Sequence, residues 1–84
     1  MRVLVVEDEP KMRALLRRAL SEEGYAVDVA ADGPQAVALA ETAVFDAVVL
    51  DVMLPGLDGF EVCTRLRCRG RWMPVLMLTC AARK

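Results

Sequence analysis

The chain reads Val3-Leu4-Val5-Val6-Glu7-Asp8 near its start, so an apolar run passes directly into two acids. A second run, Ala47-Val48-Val49-Leu50, passes into Asp51 in the same way. Continuous apolar runs are typical of parallel strands that are buried on both faces. If these two strands are neighbours, their carboxylates meet at one edge of the sheet, where crowding favours protonation of one acid or binding of a hard divalent cation. The pattern predicts a Mg²⁺ site with a reactive aspartate.

The spacing of apolar residues predicts strands that alternate with helices. Strands are predicted at residues 2–6, 25–30, 47–51 and 75–79. Helices are predicted at residues 11–23, after the turn at 32–34 through residue 40, and at 59–68. Strand–helix–strand units with right-handed crossovers form an open, doubly wound α/β sheet.

Turn and capping residues support these boundaries. Asp8 is predicted to cap the first helix, with Pro10 in the first turn and Gly24 as the stop. In the third helix, the residues predicted to face mostly the core are Phe60, Val62, Cys63 and Leu66.

Composition excludes several classes of protein. Hydrophobic residues make up 56% of the 84 residues, yet no apolar run approaches the roughly 18 residues that span a bilayer. The start lacks a signal-peptide cleavage pattern, so a cytoplasmic protein without a membrane segment is predicted. The chain contains no histidine, and its three cysteines match no zinc pattern, so we expect packed thiols. The remaining candidates for site chemistry are carboxylates.

Charge is unevenly distributed along the chain. All 12 acids lie at or before Glu61, whereas only basic charges follow it. Such a stretch can indicate a nucleic-acid surface, but arginines at alternate positions around Gly70 also fit a solvated helix end and loop. The second interpretation predicts no nucleic-acid contact by this segment.

Four polar residues are predicted at the carboxyl ends of three strands: Glu7, Asp8, Asp51 and Thr79. Ligands of open α/β sheets bind at this edge, where the strand order reverses. Each residue alone fits a helix cap, a turn or a strand end, but their convergence predicts a functional site.

Three motifs carry a family resemblance. They are Val5-Val6-Glu7-Asp8-Glu9, Asp51-Val52-Met53-Leu54-Pro55-Gly56-Leu57-Asp58-Gly59-Phe60 and Pro74-Val75-Leu76-Met77-Leu78-Thr79. In order and spacing they resemble the receiver domain of bacterial two-component response regulators, and most closely the receivers that precede a winged-helix DNA-binding domain. The resemblance implies a flavodoxin-like (CheY-like) fold, here with four strands in the order 2-1-3-4 and three helices.

The resemblance also implies a role for each site residue. Asp51 would accept a phosphoryl group from a sensor histidine kinase. Asp8 and Asp51 would bind Mg²⁺ directly, with the backbone carbonyl of Met53 as a third protein ligand and Glu7 acting through water. Thr79 would be the switch hydroxyl that senses the phosphoryl group, and intact relatives would regulate transcription.

The chain departs from the family pattern after Thr79. Residues 80–84 are too few for another crossover, which needs about 10–12 residues. We therefore expect residues 1–84 to be an incomplete receiver without an effector domain, lacking the fourth helix, the fifth strand, the fifth helix and the family's lysine. Lys84 is not that lysine, and Cys80 stands where the family prefers a very small residue. Slow phosphotransfer is expected, as is self-association through the exposed fourth strand.

Two other functions are compatible with parts of this pattern to different degrees. A phosphorylation-incompetent fragment that acts only by protein–protein binding stays open as the alternative. An aspartate-nucleophile phosphohydrolase would need a second aspartate where this chain has Met53. The prediction is a signalling module and not an enzyme.

Overall fold

The computed structural model describes residues 1–52, 54, 57–70 and 72–78. In chain order its elements are β1 (Arg2–Val6), α1 (Pro10–Glu22), β2 (Ala26–Ala30), α2 (Gly33–Thr42), β3 (Ala47–Asp51), α3 (Gly59–Cys68) and β4 (Val75–Leu78). The strands form one parallel sheet in the order β2-β1-β3-β4. The α/β architecture and strand order are those predicted from the sequence.

This strand order determines where the helices lie. The chain moves one way from β1 to β2, crosses back over β1 to reach β3, and continues to β4. Right-handed crossovers therefore place α1 on one face of the sheet and both α2 and α3 on the other. The reversal of direction lies between β1 and β3, so the carboxyl ends of these two strands form the crevice where ligands bind.

The main core lies between the sheet and the α2–α3 layer. Alternate residues of β1 and β3 face it, and α2 and α3 supply the facing side chains. Its buried residues are Leu4, Val6, Ala30, Ala36, Val37, Ala40, Phe45, Val48, Leu50, Val62 and Leu66. Burial on both sheet faces explains why β1 and β3 are continuous apolar runs.

Helix α1 has a different environment from α2 and α3. The predicted amphipathic helix is present, and Gly24 follows it with a φ of 94°, a conformation that favours glycine. No residue of α1 is buried, however, and Leu15 remains 58% exposed. The apolar stripe of α1 is therefore covered only in part.

The N-cap prediction for α1 was wrong by one residue. Glu9, not Asp8, is the N-cap, and its carboxylate accepts a hydrogen bond from the Met12 amide at 2.8 Å. The glutamate side chain reaches forward into the first turn, and the Asp8 carboxylate belongs instead to an acidic cluster at the sheet edge. The caps of α2 and α3 are Asp32 and Asp58.

The prediction that Phe60 faces the core was also wrong. Val62 and Leu66 are fully buried, but Phe60 is 62% exposed and Cys63 is partly exposed. Phe60 instead lines an open apolar groove of about 510 Å³, together with Trp72 and Met77. A helix that packs on the sheet along one side buries only a narrow stripe, and Phe60 lies outside it.

Two arginines of the basic stretch after Glu61 make tertiary contacts that the sequence did not predict. The Arg67 guanidinium donates to the Met73 carbonyl at 2.8 Å and lies 5.4 Å from the centre of the Trp72 ring. Arg69 pairs with Glu41 of α2 at 3.6 Å. These arginines tie α3 to the segment that leads into β4 and to the neighbouring helix, so they are not simply a solvated helix end.

The state of the cysteines and the length of the helices bear on two predictions made from composition. Cys63 and Cys68 are free thiols, although Cys68 is exposed and not packed. None of the described helices is long and apolar enough to cross a membrane.

Candidate functional site

The register of the sheet brings the acidic residues together. Val6 of β1 pairs with Leu50 of β3, so the residues that follow, Glu7 and Asp51, emerge side by side at the carboxyl ends. On the other side of β3, Asp51 pairs with Leu78 at the end of β4. Asp51 therefore occupies the centre of this edge, between the acids of β1 and the end of β4.

The three carboxylates form a compact cluster. One oxygen from each of Glu7, Asp8 and Asp51 can be chosen so that all three lie within 4.8 Å of one another. Glu7 and Asp51 are each only 4% exposed, and Asp8 is partly exposed. Three like charges at this separation repel one another strongly in a partly buried environment. The convergence predicted from the two apolar runs is present.

Glu7 is held at both its backbone and its side chain. Its amide donates to the Ala30 carbonyl at the end of β2, at 3.0 Å. Its carboxylate accepts from the Glu9 amide at 2.9 Å. A buried carboxylate needs such donors because desolvation is costly without them. The turn from β1 to α1 thus fixes Glu7 firmly beside Asp51.

Arg13 of α1 also reaches this turn. Its Nη1 atom donates to the Glu7 carbonyl at 2.9 Å and lies 3.5 Å from the Asp8 carbonyl. Sequence reasoning missed this residue. A signal was available, because an arginine five residues after Asp8 lies in the first turns of α1, close enough to reach back to the preceding loop.

The start of α3 packs closely against the backbone of Asp51 and Val52. The Gly59 amide donates to the Val52 carbonyl at 2.8 Å, and the Val52 amide donates to Leu78 at 3.1 Å. A Cβ atom on Gly59 would lie 2.9 Å from both the Asp51 carbonyl oxygen and the Val52 Cα atom. Glycine at this position therefore lets the start of α3 approach the backbone of the predicted phosphoacceptor.

Six residues named in the sequence analysis lie outside the described residues. They are Met53, Pro55, Gly56, Thr79, Cys80 and Lys84. The register bears on Thr79 only indirectly, since Leu78, the residue before it, pairs with Asp51.

The donor set of the cluster suits a hard divalent cation. Carboxylate oxygens are preferred ligands of Mg²⁺, which usually takes one or two carboxylates and retains several waters. The three acids offer such oxygens within one small volume, with Asp8 on the solvent side. The residues present therefore fit a Mg²⁺ ion.

Comparison with known proteins identifies the family. A family model described as the response regulator receiver domain matches residues 3–84. The chain belongs to this family. The transcriptional regulatory protein TcrA of Mycobacterium tuberculosis is 69% identical over 78 residues, which are 93% of this chain and 31% of TcrA. The receiver thus spans about a third of this relative's length, and the resemblance found in the sequence is confirmed.

Solved receiver structures have the same fold. The response regulator TrrA of Thermotoga maritima, in complex with Mg²⁺-BeF, is 40% identical with a TM-score of 0.87, over 93% of this chain and 68% of TrrA. The receiver domain of a sensor histidine kinase from Pseudomonas aeruginosa, with a magnesium ion coordinated in its active-site cleft, is 38% identical with a TM-score of 0.89. That match covers 99% of this chain and 70% of the other. This receiver is accordingly a signalling module of the two-component type.

Proposed function

We propose that this receiver accepts a phosphoryl group on Asp51 from a phosphohistidine of a sensor histidine kinase. One carboxylate oxygen of Asp51 attacks the phosphorus, the P–N bond to the imidazole breaks, and the imidazole leaves with the bonding electron pair. The product is an acyl phosphate on Asp51. The kinase supplies the phosphoryl group, and the receiver supplies the nucleophile and its surroundings.

The convergence of Glu7, Asp8 and Asp51 carries this proposal. Asp51 is the last residue of β3, at the carboxyl edge where the strand order reverses, and it lies between the acids that follow β1 and the end of β4. Its burial removes competing water from the nucleophile, and its Oδ2 atom is shielded from solvent. Among the three acids, this position best combines a held nucleophile with an approach from the open end of the crevice.

The two acids of the β1–α1 turn would hold Mg²⁺ beside this nucleophile. Asp8 and Asp51 would bind it directly, the backbone carbonyl of Met53 would complete the protein ligands, and Glu7 would act through a water molecule. A bound Mg²⁺ would neutralise the repulsion between the anionic nucleophile and the anionic phosphoryl group. The magnesium sites named for TrrA and for the Pseudomonas receiver support this assignment.

The output of the domain is proposed by analogy with its relatives. Thr79 would hydrogen-bond a phosphoryl oxygen and thereby couple the state of Asp51 to the loop that follows β4. TcrA is a transcriptional regulator, which supports a role in transcription for a longer protein that carries this receiver. The free thiols of Cys63 and Cys68 agree with a cytoplasmic location, where thiols stay reduced.

Phosphate incorporation tests the proposal directly. The folded chain is incubated with radiolabelled acetyl phosphate, with Mg²⁺ or with EDTA, and compared with Asp51→Asn. We expect Mg²⁺-dependent labelling of the unmodified chain and complete loss in Asp51→Asn, because an amide cannot form the acyl phosphate.

Asp46→Asn is the matched control for charge. It removes one acid from the opposite end of the sheet and is expected to label normally. Circular dichroism establishes that each variant is folded. A folded, unmodified chain that takes up no label would contradict the proposal and favour the alternative, a receiver that acts only by protein–protein binding.

We also propose self-association through β4. This strand is at the edge of the described sheet, and Leu76 at its centre is 60% exposed. Exposed apolar edge strands pair readily with another chain. Sedimentation equilibrium should show a concentration-dependent dimer that Leu76→Lys weakens. A monomer at all concentrations would exclude this pairing.

A further inference from the structure

Arg13 reaches the turn between β1 and α1, residues 7–9, which we call the acidic turn. Its guanidinium contacts the backbone carbonyls of both Glu7 and Asp8. We infer that Arg13 is a positioning residue for the metal site: by holding these two carbonyls it sets the direction in which both carboxylates point. The inference rests on the proposed function, because it assumes that the cluster binds Mg²⁺.

The argument begins with the freedom of the β1–α1 turn. Residues 7–9 connect a strand to a helix, so their peptide planes are not held by regular hydrogen bonding along their whole length. The Glu7 amide is held by Ala30 and its carboxylate by the Glu9 amide. The contact from Arg13 adds the third constraint, on the Glu7 carbonyl. A residue held at its amide, carbonyl and side chain has little freedom to rotate.

A second, longer contact reaches Asp8. The Asp8 carbonyl lies 3.5 Å from Nη1 of Arg13, and Asp8 is more exposed than Glu7. A rotation of the peptide between Glu7 and Asp8 would turn the Asp8 side chain relative to Asp51. One guanidinium nitrogen between two successive carbonyls resists that rotation. Residues that hold metal ligands in this way typically contribute about 10-fold or more to metal affinity.

Arginine suits this role better than other cations. Its guanidinium is planar, permanently charged and able to donate in several fixed directions. The backbone amide of Arg13 donates a hydrogen bond to the Glu9 carbonyl at 2.9 Å, so Arg13 is part of the first turn of α1. The helix start and the acidic turn are therefore linked at two points by the same residue.

The Mg²⁺ affinity of folded variants shows whether Arg13 positions the metal ligands or only stabilises the fold. The dissociation constant for Mg²⁺ is measured by isothermal titration calorimetry for the unmodified chain, Arg13→Ala, Arg13→Lys and Arg17→Ala. Arg17 is exposed on the same helix and is a matched control for charge. We expect Arg13→Ala to weaken binding about 10-fold, Arg13→Lys to weaken it less, and Arg17→Ala to leave it unchanged.

A second readout is the ¹⁵N–¹H spectrum without metal. In Arg13→Ala the amide resonances of Asp8 and Glu9 should shift, whereas those of β2 should stay in place. If Arg13→Ala does not fold, Arg13→Lys decides the question, since a lysine variant with unmodified affinity overturns the inference.

The outcomes distinguish this inference from the proposed function. Normal Mg²⁺ binding by the unmodified chain together with equal binding by folded Arg13→Ala overturns the inference alone. Absence of Mg²⁺ binding in the unmodified chain overturns the metal-dependent function as well.

Discussion

The two ends of the sheet use acids and an arginine in opposite ways. At the amino end, Arg2 binds acids directly: its guanidinium pairs with Asp28 at 2.7 Å, and its amide donates to the Asp46 carboxylate at 2.7 Å. The same guanidinium lies 5.2 Å from the centre of the buried Phe45 ring. The first contact is an ion pair, the second is a hydrogen bond to a carboxylate, and the third places a cation over a ring, so the amino end is arranged for stability.

At the carboxyl end the acids are brought toward one another. Glu7, Asp8 and Asp51 place oxygens within 4.8 Å, while the nearby Arg13 donates to backbone carbonyls. Such an arrangement raises the free energy of the metal-free protein, and a bound cation would lower it. The contrast teaches that residue type alone does not separate structural from functional charges. What separates them is whether each acid faces a cation or another acid.

The largest expected effect comes from a substitution that disturbs the carboxyl end of the sheet and leaves the amino end unchanged. Gly59→Ala should lower the free energy of unfolding by about 2 kcal/mol, because the new Cβ atom would press on backbone atoms of Asp51 and Val52 that cannot move aside. It should also weaken Mg²⁺ binding, since Asp51 would be displaced. Urea denaturation and calorimetric titration measure the two effects.

Gly70→Ala is the matched control at the other end of α3. Gly70 has a φ of 74°, and among the described residues no atom beyond its chain neighbours lies within 4 Å of its Cβ position. Alanine there should cost about 1 kcal/mol of backbone strain and leave Mg²⁺ affinity unchanged. Equal effects of both variants on Mg²⁺ affinity would mean that close packing at Gly59 does not support the site.

Removing one acid from each end of the sheet should change the free energy of unfolding in opposite directions. In EDTA, Asp8→Asn should raise the free energy of unfolding by about 1 kcal/mol, because it removes one of three mutually repelling charges. Asp28→Asn should lower it by about 0.2–1 kcal/mol, because it weakens a partly exposed ion pair with Arg2. Urea denaturation of both variants at low ionic strength measures these differences.

The two variants should also differ when Mg²⁺ is added. Asp28→Asn should gain as much stability from the metal as the unmodified chain, whereas Asp8→Asn should gain far less. Loss of stability in both variants without metal would show that the cluster at the carboxyl end is a structural network like the one around Arg2.

Much of the fold could be predicted because its determinants are local. The apolar runs of β1 and β3, the helical spacing of α1 and the stop at Gly24 are properties of neighbouring residues, and α3 was predicted with the bounds that the structure shows. The acidic cluster could also be predicted, because parallel neighbours necessarily bring their carboxyl ends to one edge. The roles of Met53 and Thr79 remain predictions.

The wrong predictions concern contacts that depend on a third element. Aspartate is the more usual N-cap, yet Glu9 caps α1 and Asp8 instead lies beside Asp51 of a distant strand. Phe60 has the hydrophobicity of a core residue, yet it lies on the side of α3 that lines an open groove. Helical periodicity identifies an apolar stripe, but not how much of that stripe a neighbour will cover.

The sequence by itself determined the order of strands and helices, the parallel sheet and the meeting of three acids at its carboxyl edge, because these follow from hydrophobic periodicity and chain direction. Tertiary structure alone decided that Asp8 meets Asp51 while Glu9 caps α1, and that Gly59 must lack a side chain. These depend on distances between segments that are far apart in the chain or turned toward each other by packing, and no local pattern of residues encodes such distances.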